Sequence, residues 1–216
     1  MEVSSEQIWQ AVYQTLYMVG VSLVFATLIG MPLGILLVVT RKGHILENQT
    51  IFSILNPIIN VLRSVPFIIL LVAIIPFTRL LVGTSIGTTA AIVPLVIYTG
   101  PYIARLIENS LLEVNAGIIE AAEAMGATPL QIIFRFLIPE TLGSLVLSIT
   151  TATIGLIGAT AMAGAVGGGG IGDLAITYGY QRFSTITIVA TVIILVVLVQ
   201  GIQSLGNRLA RKIRRK

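Results

Sequence analysis

Between Gln7 and Thr40 the chain carries no charged side chain, and four more stretches of the same character follow. One runs from Asn48 to Thr78 and is broken only by Arg63; the others are Leu80 to Ala104, Thr141 to Gly172 and Phe183 to Asn207. A helix needs about 20 apolar residues to cross a hydrocarbon core of roughly 30 Å. Each stretch is long enough. Soluble domains carry roughly 25% charged residues, whereas here only 10% are charged and 56% are hydrophobic. So few charges cannot cover a water-facing surface, which excludes a soluble enzyme. The expectation is an all-α membrane protein, a single transmembrane domain over 1–216, with about five transmembrane helices near 15–39, 54–77, 86–104, 141–165 and 184–207.

The charges orient the spans. Threading five spans puts Arg41, Lys42, Arg105, Arg135, Arg208, Arg211, Lys212, Arg214, Arg215 and Lys216 on one side, and Arg79 and Arg182 on the other. The positive-inside rule then places the N-terminus outside and the C-terminus inside the cell. The net charge of +4 is explained by these flanking loops, so no nucleic-acid partner is expected. The first ten residues lack a basic n-region, and the first span is expected to act as its own uncleaved insertion signal. With no cysteine and a single histidine, His44, thiol chemistry, a histidine triad and a zinc site have no material to work with. No catalytic, cofactor or metal residue is expected in this chain.

One connection is too long to be a mere link. Residues 105–140 hold five of the nine acidic residues: Glu108, Glu113, Glu120, Glu123 and Glu140. Ile118, Ile119, Ala122 and Met125 recur at helical spacing, with Glu120 and Glu123 off that face. Gly126 interrupts the pattern. Thr128 then reads as an N-cap with Pro129 at the first helical position, and Pro139 as a stop. The expectation is a cytoplasmic helix–glycine–helix element. Its acidic residues favour docking to a protein over lying on anionic lipid.

Other motifs decide less. Gly167 to Gly172 matches G-x-G-x-x-G, but it follows a membrane span, and position 192 is valine rather than acidic. A flexible external loop or a close backbone crossing fits better. No P-loop motif occurs, so any ATP-driven function needs a separate ATPase. Arg63 is expected at an interface, either snorkelling or ion-paired. Gly30 with Gly34, and Ala161 with Ala165, are small-xxx-small pairs suited to close helix packing. Met162 is the one bulky flexible side chain in its small-residue stretch, and is a packing residue or a gate contact.

Glu120-Ala121-Ala122, three residues, Gly126, nine residues, Phe136, one residue, then Ile138-Pro139 resembles the EAA signature of ABC importer permeases. Phe136 and Ile138 stand where isoleucine and leucine are usual, and both stay apolar. Arg63 to Phe77, Gly100 to Val114 and Ala161 to Tyr180 are similar to the methionine-importer permeases, and the likeness runs over nearly the whole chain. That resemblance implies a type I importer permease in a bacterial inner membrane. It would pair with a second copy of itself, with a cytoplasmic ATPase dimer that holds ATP and Mg, and with an external binding protein or lipoprotein. It implies coupling roles for Glu120, Ala121, Ala122, Gly126, Ala127, Phe136 and Pro139, and a gate near Ala161, Met162 and Ala165. Two alternatives remain open: a permease for another amino acid or small peptide, and a secondary transporter or channel that uses no ATP.

Overall fold

The computed structural model describes residues 3–214, which are helical with no strand among them. Helix α1 (Ser5–Val39) begins at a capping box, in which the Ser4 hydroxyl accepts from the Gln7 N–H and the Gln7 side chain accepts from the Ser4 N–H. This satisfies donors that a helix start leaves free. Helix α5 (Thr88–Leu111) runs beside α1 in the same direction. Gly30 and Gly34 make that approach possible: a Cβ on either would come within 2.6 Å of the carbonyl oxygen of Gly100 or Ala104. The seam is filled by Ala26, Ile103, Ile107 and Leu111.

Helix α8 (Ile138–Ala163) runs antiparallel to α5, with the Ser110 and Ser148 hydroxyls 2.8 Å apart. Helix α10 (Thr185–Arg214) lies antiparallel on α8, where Gly206 meets Thr150 and the Arg214 side chain crosses Gly143. Four helical stretches are long and apolar enough to cross a membrane: Ser5–Val39, Thr88–Leu111, Pro129–Gly168 and Thr185–Arg214. A fifth arises if a bent pair is counted as one span.

That bent pair falls where the sequence suggested one crossing over 54–77. Helix α2 (Gln49–Ser64) meets α3 (Phe67–Ala73) at 100°. Val65, pushed out of the helical region by the following Pro66, is extended at φ −81°, ψ 123°. Helix α4 (Ile75–Val82) follows and ends at Gly83 in the left-handed region.

The segment 105–140 also differs from its reading. Helix α5 continues through Arg105 to Leu111, and only α6 (Ala116–Ala124) stands apart. Helix α7 (Pro129–Ile132) runs through a π-helical turn, Ile133–Leu137, straight into α8. Pro139 is therefore not a stop. The Ile138 N–H reaches Ile133, five residues back, and the widened turn gives the pyrrolidine ring room that a regular α-turn denies it.

Candidate functional site

Helix α6 is held at both ends. The Asn115 side chain accepts from the Gly117 N–H at 2.8 Å. At the other end the Ala127 N–H reaches the Ala122 carbonyl at 3.0 Å, and the Gly126 N–H reaches that of Glu123 at 2.9 Å. This is a Schellman arrangement, and Gly126 supplies its left-handed residue at φ 77°. Thr128 then caps α7 in a reciprocal capping box with Gln131. The turn between α6 and α7 is thus bonded on both sides.

Of the seven residues read as a coupling set, three face inward. Ala122 is 0% exposed and packs with Ile132, Ile133 and Leu137; Ala127 and Phe136 lie partly buried against the same cluster. Glu120 and Ala121 are exposed, together with Glu123, Ala124 and Met125. Pro139 is exposed on the first turn of α8. The element therefore presents a small, acid-flanked surface backed by an apolar anchor.

Beside it lies a polar cluster that the sequence reading missed. Glu108 is 2% exposed, yet ionisable. Arg105 pairs with it and donates to Asn56 at 2.8 Å and Asn60 at 2.7 Å. Arg41 approaches Glu108 at 3.9 Å and sits over the Phe52 ring. A buried carboxylate is tolerated only when so paired. The cluster ties the C-terminal end of α1, the amphipathic α2 and the end of α5 together, just ahead of α6. The i,i+3 spacing of Arg105 and Glu108 was the available signal. Arg63, in the last turn of α2, lies 6.0 Å from the centre of the Tyr102 ring, and it makes no ion pair among the described residues.

At the far end of α8, Met162 and Ala165 are exposed, while Ala161 presses its backbone against Gly172. The helix breaks just beyond, where Val166 (φ −113°, ψ 24°) and Gly167 (φ 87°, ψ 18°) leave the helical region; Ala161 thus packs on the short helix Gly170–Leu174, whereas Ala165 is exposed. The glycine run after it is a backbone crossing rather than a loose loop. The Gly170 N–H donates to the Gln14 side chain at 2.8 Å, the Ile171 N–H donates to the Thr15 hydroxyl at 2.9 Å, and the Gly87 N–H donates to the Gly167 carbonyl at 2.9 Å. Gly167, Gly169 and Gly170 all have positive φ, a backbone that side-chained residues avoid. Among the described residues no group of three His, Cys, Asp or Glu could hold a metal.

Comparison with known proteins agrees on one family. The profile of the binding-protein-dependent transport system inner membrane component matches residues 26–215. A probable D-methionine transport system permease protein MetI of Vibrio cholerae is 50% identical over 97% of this chain and 93% of its own length. The methionine import system permease protein MetP of Bacillus subtilis is 45% identical over 93% of this chain and 90% of its own length. Among solved structures, a chain of the MetNI methionine ABC transporter in an inward-facing conformation superposes with TM-score 0.95 at 47% identity, covering 98% of this chain and 99% of that one.

Proposed function

The chain belongs to the binding-protein-dependent transport system inner membrane component family, and on that premise we propose that it forms the translocation pore of an ATP-driven methionine importer. It is a multi-pass inner-membrane permease subunit of an ABC importer. The observation that carries the substrate is the 50% identity, over 97% of the chain, to a permease named for D-methionine.

In this proposal the whole chain acts as one domain, its N-terminus outside the cell and the α6–α7 element in the cytoplasm, as the distribution of basic residues favours. Two copies line the path. A cytoplasmic ATPase dimer supplies the nucleotide chemistry with its own ATP and Mg, and an external binding protein or lipoprotein delivers the substrate. Glu120 and Ala121 meet the ATPase, while Ala122, Ala127 and Phe136 transmit the push inward. Because α7 is continuous with α8, a displacement at Gly126 is carried along one helix toward Met162, Ala161 and Ala165, which close the path. Substrate and nucleotide shift this alternation only through unequal affinity for the two states. The one buried carboxylate among the described residues, Glu108, is held by arginines, which argues against proton coupling.

The test is reconstitution in vesicles with the cognate ATPase and binding protein. Methionine uptake should require ATP and all three components. Solute flux through this polypeptide alone, without the motor, would overturn the reading.

A further inference from the structure

The last turns of α10 present two different faces. Toward α8 point small residues: Gly206 against Thr150, then buried Ala210. One turn on, Arg214 follows at the same spacing and donates to Ser144 at 3.2 Å, which itself donates to Glu113. Away from α8 point Arg208, Arg211 and Lys212, at i, i+3 and i+4, all exposed. Arg215 continues that register in the sequence, outside the described residues. Between Asp173 and Lys216 no acidic residue occurs, and among the described residues Arg208, Arg211 and Lys212 make no ion pair.

The same side of α10 says what covers it. Val189, Val192, Ile193, Val196 and Val197 are exposed higher up the helix, and at membrane depth their only solvent is hydrocarbon. Leu205 and Leu209, 60% and 55% exposed, carry that apolar surface down among the basic residues. The helix is 30 residues long, whereas about 20 cross the core. Arg208, Arg211 and Lys212 therefore fall at headgroup level, their stems lying along leucine and their charged ends free.

We propose that this face is a binding site for anionic phospholipid headgroups, built from Arg208, Arg211 and Lys212. Arg214 is spoken for: it fastens the helix to Ser144 and Glu113, two residues before the cap of α6. Lipid held on the outer face is thus held next to the coupling element. Basic clusters just past a membrane span attract anionic lipid by a factor of about five for each charge. The attraction is screened by salt.

The test uses the full-length chain purified in neutral detergent and titrated with phosphatidylglycerol or phosphatidylcholine, with bound lipid counted by native mass spectrometry. Phosphatidylglycerol should be retained at least tenfold better, and this preference should shrink as salt rises. The triple variant Arg208→Gln, Arg211→Gln, Lys212→Gln should lose it, whereas Arg208→Lys with Arg211→Lys should keep it and Arg79→Gln should leave it unchanged. If the triple variant does not insert, the single Arg208→Gln should lower retention several-fold. Equal retention of the two lipids, or a preference that survives these neutralisations, overturns the site. Because methionine uptake is not the readout, failure here leaves the transport function untouched.

Discussion

The Ala127 N–H bonds to the carbonyl of Ala122 at 3.0 Å across Gly126, which turns the chain at φ 77°. A Cβ on Gly126 would meet nothing within 4 Å, so the cost of substitution is backbone strain and not a clash. A left-handed L-residue costs roughly 1–2 kcal/mol. Gly126→Ala should therefore insert and fold with slightly lowered thermal stability, Gly126→Asn should fare better, and β-branched Gly126→Val should abolish methionine uptake in the reconstituted system. Normal uptake by the valine variant would remove the bend from the coupling mechanism.

Ala121 and Ala122 are adjacent and alike in chemistry, but only Ala122 is buried. Enlarging a packed site costs about 1–3 kcal/mol. Ala122→Leu should lower the melting temperature of the purified chain. Ala121→Leu should leave it unchanged and instead weaken copurification of the ATPase. Both measurements can be made on one detergent preparation, and a reversed pattern would exchange the two roles.

Gly34 faces Ala104 so closely that even a methyl group would come within 2.6 Å of a carbonyl oxygen. Backbone cannot yield as a flexible side chain can. Gly34→Leu should separate α1 from α5 and cut the yield of folded protein severely, while Gly20→Leu, where a Cβ would meet nothing within 4 Å, should be tolerated. Size-exclusion profiles of the two variants make the comparison.

Four of the five spans and the α6 bend were legible because both are written in local pattern: charge-free length for the one, a glycine between amphipathic runs for the other. What escaped depended on partners distant in sequence. The right-angle bend after α2 follows from Pro66, but nothing near it reveals that α2 lies against α5. The Arg105 contacts with Asn56 and Asn60 join residues that only the fold brings together. Pro139 misled because a proline normally ends a helix, and the π turn that accommodates it has no sequence mark of its own. The glycine run was half legible: its freedom pointed to a loop or a crossing, and only the bonds that the Gly170 and Ile171 N–H groups donate to the Gln14 and Thr15 side chains select the crossing.

Glu108 and Arg105 give a prediction that separates pairing from charge. Removing one member of a buried pair leaves the other uncompensated, at a cost of about 3–5 kcal/mol. Glu108→Gln should destabilise strongly, and Arg105→Met likewise. The double variant should recover much of the loss, since two neutral groups can share the site. A thermal-unfolding cycle over the four proteins measures the coupling, and strictly additive losses would mean that the two side chains act independently.

His44 lies in the turn between α1 and α2, outside the spans, and carries the chain's only imidazole. Burial first, and the positive charge of Arg41 second, hold its pKa below the usual 6.5. Both causes disfavour the protonated form, so near the usual value the folded chain binds fewer protons than the unfolded chain. The stabilisation this provides is complete above 6.5 and is lost as pH falls through that value toward the folded pKa. Histidine-detected NMR should give a titration midpoint below 6.5, and Arg41→Gln should move that midpoint upward. The melting temperature should fall between about pH 7 and pH 5 more steeply in the parent than in His44→Gln, because histidine is the side chain that titrates there. A midpoint at or above 6.5 would mean that the turn neither buries the ring nor brings the arginine near it.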